Sequence, residues 1–195
     1  AVVKLLIHLY TNTFAGYGIF RDELYYLSCA SRPDLGYVDH PPFSIWVLAL
    51  MRTALGDSIF AIRLIPAICA SLSVFVTGLI TKKLGGKSTA IVIACTAITL
   101  SPIVLAMNAI YSMNTFDHLL WALSFYYVLK LIDDNKASSW IILGVIMGIA
   151  FLNKIGFLWF AAGLAVSMFL TKDRTKLKTF SPWLTVVMAL IIFSP

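Results

Sequence analysis

Apolar runs long enough to cross a bilayer alternate with short polar breaks along almost the whole chain, and a single long polar interval, Gly16 to Phe43, interrupts that rhythm. Ala1 to about Tyr17 reads as a helix, the last part of a first span, with Lys4 and His8 its only basic groups. Pro41-Pro42 stops any preceding helix and suits the first turn of the next, so a helix is expected from about Pro42 to Leu55. At 1.5 Å per residue that helix is roughly 20 Å long, too short to cross a core of about 30 Å, which lays it along or partway into the outer interface. Ile59 to Thr81 is a full span with Arg63 near its start and Pro66 as a kink, and Lys82 to Lys87 is a tight basic loop. Ser88 to about Leu105 returns across, loosened at its end by Ser101-Pro102. A connection through Asn108, Tyr111 and Asn114 then leads into a helix over Thr115 to Ile132, which Asp133 to Lys136 closes. As one helix, Ser139 to Leu170 would measure about 48 Å, so it is broken at Asn153-Lys154-Ile155-Gly156 into a hairpin. Lys172 to Lys178 follows, and a last span begins near Ser181.

Composition agrees with this parsing. Hydrophobic residues make up 60% of the 195, charged residues only 12%, and mean hydropathy is +0.90. Soluble domains carry about 25% charged residues, so a purely soluble fold is excluded and lipid must cover the excess apolar surface. The net charge of +6 resides mainly in short loops, where basic residues set orientation rather than attract nucleic acid. Cys29, Cys69 and Cys95 lack metal or redox spacing and read as small hydrophobes. The fold expected is an all-α integral membrane bundle, polytopic, one transmembrane domain over residues 1–195. Residues 18–58 form the first extracytoplasmic loop with its juxtamembrane helices. Both ends fall inside apolar runs, so the chain reads as the N-terminal part of a longer protein. The positive-inside rule puts Lys82, Lys83, Lys87, Lys172, Arg174, Lys176 and Lys178 on the cytoplasmic face, and the acidic interval, the Asp117 turn and Lys154 on the other.

Four of the nine carboxylates lie in the polar interval: Asp22, Glu23, Asp34 and Asp39. Arg21-Asp22-Glu23 opens a short helix whose next residues, including Tyr26, face the membrane surface; its structural reading makes Asp22 an N-cap and Glu23 a first-turn charge. In Asp39-His40-Pro41-Pro42 two prolines fix the backbone just after an acid and an imidazole, against the simpler reading of a rigid turn. Asn114 and Asp117 have capping-box spacing, yet an acid at the edge of hydrocarbon is costly unless it faces protein or a wet cavity. The same cost applies to Lys154, amid some thirty apolar residues, whose structural reading is a snorkelling side chain, and to Arg63. A carboxylate beside fixed cations at a lipid surface suits deprotonation of a hydroxyl or amine while a lipid-linked phosphate departs.

Tyr17 to Tyr26, Gly36-Tyr37-Val38-Asp39-His40-Pro41-Pro42, Arg63-Leu64-Ile65-Pro66-Ala67, Tyr111 to Asp117 and Phe151-Leu152-Asn153-Lys154 together resemble the blocks of the bacterial dolichyl-phosphate-mannose protein mannosyltransferase-like family. That family includes the lipid A aminoarabinose transferases and has the GT-C membrane glycosyltransferase fold. The resemblance implies an inverting transferase, embedded in the bacterial inner membrane, that moves a sugar from a polyprenyl-phosphate donor to an extracytoplasmic acceptor: lipid A or another glycolipid, a glycan or a protein. It implies Asp22, with Glu23 adjacent, and Asp117 as the catalytic acids, and Lys154 as the phosphate contact. Tyr26, Asp39, His40, Arg63 and Asn114 complete the expected substrate-binding set. The aminoarabinose transferases have Lys before Pro-Pro where this chain has His40, and Asn153 replaces the usual Thr. No cofactor and no obligatory metal are expected, although oligosaccharyltransferases of the same broad fold use a divalent cation. A transporter or lipid flippase is the alternative; it would place charges at mid-helix and repeat its halves in inverted topology.

Overall fold

The computed structural model describes residues 1–194, and every element among them is helical. In chain order these are α1 (Val2–Phe14), α2 (Arg21–Ala30), α3 (Phe43–Leu55), α4 (Ile59–Lys83), α5 (Ser88–Leu100), α6 (Pro102–Ala109), α7 (Met113–Asp134), α8 (Ala137–Asn153), α9 (Leu158–Leu170) and α10 (Ser181–Phe193). Short 3-10 helices at Ile155–Phe157 and Lys172–Lys178 flank α9. Among the described residues α4, at 25 residues, is the one unbroken helix long and apolar enough to cross a membrane. Two bent pairs qualify jointly: α5 with α6, bent by 53°, and the Ile155–Leu170 stretch with Lys172–Lys178, bent by 102°.

Local chemistry explains the boundaries. Ser58 caps α4 by accepting the Ala61 N–H at 3.1 Å, and Lys82 and Lys83 occupy its last turn, where cations complement the helix dipole. The hairpin expected around Asn153–Gly156 forms there, with α8 ending at Asn153. Between Ser101 and Asn114 the expected loose connection is instead a second helix. Pro102 cannot donate to a continuing α5, but its fixed φ suits the first turn of α6, so the helix bends and restarts rather than ending. Neither expected cap forms. Ser112, extended at φ −159°, precedes α7 and puts Asn114 inside the first turn. Phe20 precedes α2 and leaves Asp22 within it, while Glu23 Oε2 accepts the Phe20 N–H at 2.8 Å.

The core runs along α4, α7 and α8, with Ile62, Leu120, Leu143 and Met147 among its buried members. The seam between α8 and α10 is closed by two glycines four residues apart. A Cβ on Gly144 would lie 2.6 Å from the Thr185 carbonyl oxygen, and one on Gly148 2.7 Å from Ile192 Cβ, so only glycine lets the backbones approach this closely. Thr185 Oγ1 donates to the Trp140 carbonyl across the seam at 2.7 Å. By contrast, α5 and α9 bury no side chain fully, and Val92, Ile93, Trp159 and Phe169 are exposed on them. Apolar surface of that extent calls for an apolar environment.

Two polar contacts fix which loops share an end. Lys83 Nζ pairs with Asp133 Oδ2 at 2.5 Å, and Lys176 Nζ donates to the Leu131 carbonyl at 3.1 Å. The C-terminal ends of α4 and α7 and the basic 172–178 turn therefore lie together. The acidic interval, residues 110–117 and Lys154 gather at the opposite end, joined by the hydrogen bonds described next.

Candidate active site

Glu23 and Arg63 are the centre of the acidic end. Both are buried, with side chains 1% and 5% exposed. Glu23 Oε2 receives Arg63 Nη2 at 2.6 Å and the Phe20 N–H at 2.8 Å, while Oε1 receives Arg63 Nε at 2.9 Å and the Tyr111 N–H at 2.8 Å. Arg63 Nη2 also donates to the Gly18 carbonyl at 2.8 Å, and Nη1 to Tyr17 at 3.4 Å. A buried carboxylate with four donors and a guanidinium in a two-pronged pair satisfy the condition under which interior charge is tolerated. Burial pushes the Glu23 carboxyl upward, but Arg63 and the Phe20 and Tyr111 amides outweigh it and hold it below the usual range. The pair ties three segments together: the start of α2, the start of α4 and the turn into α7. Its charges are fully committed, so Glu23, expected beside Asp22 as a reacting acid, and Arg63, expected among the substrate-binding residues, occupy bracing positions instead.

Asp22 differs from its neighbour. Its side chain is 52% exposed, and it pairs with adjacent Arg21 at 3.3 Å. Helix geometry explains the split, since consecutive residues point about 100° apart and burying one carboxylate turns the next to solvent.

One turn on, Tyr26 continues the construction. Its hydroxyl accepts the Met113 N–H at 3.1 Å, and its ring stacks on His40, with centroids 5.1 Å apart and planes 4° off parallel. Burial raises the Tyr26 hydroxyl, the Met113 bond opposes the rise, and the Asp22 charge adds to it. His40 is buried, with Nδ1 3.0 Å from the Pro41 carbonyl, and Nε2 has no partner among the described residues. Partial burial and the nearby Asp39 carboxylate, itself exposed, push the Tyr25 hydroxyl up to about 12.

Met113 links this half to Lys154. Its carbonyl accepts Asn153 Nδ2 at 2.9 Å, and the next residue, Asn114, accepts Lys154 Nζ on Oδ1 at 2.9 Å. Asp117 Oδ2 lies 3.6 Å from the same ammonium, while Asp117 Oδ1 accepts Trp121 Nε1 at 3.1 Å. Lys154 is 36% exposed and Asp117 19%, so the ammonium, with three donors, is oriented yet open to a further acceptor. Against the hairpin turn, a cavity of about 420 Å³ is lined by Tyr37, Asp39, His40, Leu152, Ile155 and Phe193.

Further hydrogen bonds tie the 18–58 loop to this frame. Arg52 reaches from α3 to the Leu27 carbonyl at 3.0 Å and Ser31 Oγ at 3.1 Å, Trp46 Nε1 donates to the Asp34 carbonyl at 2.8 Å, and the Tyr111 hydroxyl donates to the Ser44 carbonyl at 2.5 Å. Sequence reasoning missed Tyr111, Asn153 and Trp121 as members of the network. Tyr111 and Asn153 lay inside the blocks already quoted, but their contacts join residues 40 to 88 positions apart, which no local pattern marks.

Comparison with known proteins agrees with this architecture. The family model described as dolichyl-phosphate-mannose-protein mannosyltransferase matches residues 39–195, a stretch that includes Asp39, His40, Arg63, Asn114, Asp117 and Lys154 and begins after Asp22 and Glu23. An undecaprenyl phosphate-alpha-4-amino-4-deoxy-L-arabinose arabinosyl transferase of Pseudomonas savastanoi pv. phaseolicola (strain 1448A / Race 6) is 30% identical over 171 residues, 83% of this chain and 31% of its own length. A second protein with that description, numbered 2, from Pseudomonas fluorescens (strain Pf0-1), is 26% identical over 170 residues, 83% of this chain and 30% of its own length. The chain thus spans under a third of either relative. No solved structure matches it. A match over four-fifths of the sequence, on an all-helical fold, places the chain in the dolichyl-phosphate-mannose-protein mannosyltransferase family of membrane glycosyltransferases.

Proposed function

We propose that the protein to which this chain belongs is an inverting glycosyltransferase, polytopic in the bacterial inner membrane, that takes a sugar from a polyprenyl-phosphate donor and delivers it to an acceptor on the extracytoplasmic face. Residues 18–58 are then the first extracytoplasmic loop, with α2 and α3 at the interface. The basic loops at 82–87 and 172–178 sit on the cytoplasmic side. The observation that carries the reading is the placement of an exposed carboxylate and an oriented ammonium at one end of the bundle. Asp22 lies on α2 one turn before Tyr26, and α2 is tied to Lys154 through Tyr26, Met113, Asn153 and Asn114.

Asp22 takes the proton of the acceptor hydroxyl or amine as that atom attacks the anomeric carbon from the face opposite the phosphate. The bond from that carbon to the phosphate oxygen breaks, and the leaving polyprenyl phosphate keeps the electron pair. Lys154, held by Asn114 and Asp117, offers its remaining donor to the phosphate, where negative charge develops. Asp117 orients the ammonium, and Glu23 and Arg63 act as positioning residues that aim α2. The 420 Å³ cavity against the Leu152–Ile155 turn, with Asp39 and His40 at its loop side and Tyr26 stacked behind His40, supplies room for the sugar. No divalent metal is assigned a role, so transfer should survive chelation.

The test uses the full-length protein in membranes with labelled polyprenyl-phosphate sugar. Asp22→Asn should abolish transfer with expression and folding intact, and Lys154→Met should lower it by about 10²–10³-fold, the cost of losing one charge-stabilising donor. Full activity of Asp22→Asn removes the base assignment. Movement of the donor across the membrane without transfer favours a flippase instead.

A further inference from the structure

Residues 172–178, Lys-Asp-Arg-Thr-Lys-Leu-Lys, carry four cations and one acid and take no part in the transfer chemistry assigned above. The 3-10 helix they form turns by 102° from the Ile155–Leu170 stretch, so it runs across the basic end of the bundle instead of continuing α9. One cation anchors it. Lys176 Nζ donates to the Leu131 carbonyl at 3.1 Å and meets Asp173 Oδ1 at 2.8 Å, which ties the segment to α7 and neutralises its acid. Trp183 Nε1, donating to the Leu177 carbonyl at 3.2 Å, secures the other end. Lys172, Arg174 and Lys178 are left exposed, with no ion-pair or hydrogen-bond partner for their side chains among the described residues.

Their surroundings restrict what meets them. Lys172 and Arg174 border a surface hollow of about 540 Å³, together with Leu170, Thr171 and Thr175. A guanidinium fork beside an ammonium matches the oxygens of a phosphate. The same segment is bracketed by apolar surface: Leu170 is 81% exposed before it and Phe180 73% after it, with Phe169 and Trp183 also uncovered. An acidic protein or a nucleic acid would satisfy the cations and leave those side chains in water, whereas a phospholipid supplies a negative headgroup and hydrocarbon in one molecule. Orientation in the membrane requires only a number of basic residues beside a span. Turning one of them inward as an anchor, so that the others stand free around a hollow, goes beyond that requirement.

We propose that the 172–178 segment binds the phosphate headgroup of an anionic phospholipid in the leaflet at the basic end, through Lys172, Arg174 and Lys178. The site rests on the reading of this end as a membrane interface and is independent of the transfer chemistry. Full-length protein is reconstituted in nanodiscs holding equal fractions of phosphatidylglycerol and phosphatidylcholine, one of which at a time carries a diazirine beside its glycerol backbone. The peptide spanning residues 171–180 should be labelled about tenfold more by the phosphatidylglycerol probe, the gain from one to two cations meeting an anionic headgroup. Inorganic phosphate, with ionic strength matched by chloride, should not reduce that preference; if it does, the hollow takes a soluble anion and the proposal fails. Lys172→Gln, Arg174→Gln and Lys178→Gln together should bring labelling down to the phosphatidylcholine level, with Lys176 kept as the anchor. Lys82→Gln with Lys87→Gln, exposed cations of the other basic loop, should leave it unchanged. An equal loss in both variants means a diffuse field rather than a site and overturns the proposal. Equal labelling by the two probes also overturns it while the interface reading stands, and labelling by neither overturns both, since protein then covers the segment.

Discussion

The two ends of the bundle use charge in opposite ways. At the acidic end Glu23 and Arg63 are buried, exchange two hydrogen bonds with each other and receive or give four more to backbone groups. At the basic end Lys83 and Asp133 meet in one contact with side chains 29% and 61% exposed, and Lys136 approaches Asp134 only to 3.9 Å. The first kind of pair fixes where three chain segments meet. The second holds little, because water and salt compete for each partner, and its residues serve orientation more than shape.

The sharpest way to break this contrast is to remove one partner of the buried pair. Arg63→Ala leaves the Glu23 carboxylate enclosed with only two amide donors and should cost about 3–5 kcal/mol of stability, read as thermal unfolding of full-length protein in detergent. Replacing both, Glu23→Leu with Arg63→Met, should recover most of that stability yet leave transfer impaired, because an apolar plug does not aim α2. A double variant with normal transfer would return Glu23 and Arg63 to a purely structural role.

Acid tests the same pair without mutation. The folded Glu23 carboxyl titrates below its unfolded value of 4.5, so its contribution is present above that pH and is lost as pH falls through the lower, folded value. Stability of the wild type should therefore decline below about pH 4.5, and the Glu23→Leu, Arg63→Met protein should decline less over that window. Equal declines would mean that other carboxylates dominate.

Tyr26→Phe should give a smaller effect of about 1–2 kcal/mol, since it strands the Met113 N–H but keeps the ring on His40. Lys83→Ala, at the basic end, should be the mildest of all, with any loss shrinking further in high salt. A Lys83→Ala effect as large as that of Arg63→Ala would dissolve the distinction between the ends.

Much of this architecture was legible in the order of residues, for reasons local to the chain. Helix-stopping Pro41-Pro42 and the Gly56-Asp57-Ser58 reset bound α3, and the charged loop after Thr81 ends α4, each acting on its own few residues. The Ser101-Pro102 break was visible too, but its consequence was not, because proline interrupts one helix and starts another with equal ease. Asn114 and Asp117 read as a capping box because their spacing allows it, yet their partner is Lys154, some forty residues downstream.

What the sequence determined by itself is the apolar periodicity, the breaks after Thr81 and around Asn153, the position of the polar interval and the segregation of basic loops, all of which depend on a residue and its near neighbours. Only the tertiary structure decided that Glu23 and not Asp22 is enclosed, that Arg63 braces rather than waits for a ligand, and that Lys154 meets Asn114 and Asp117. Those outcomes depend on which donors other helices bring within 3 Å, a quantity set by packing and recorded at no single position of the chain.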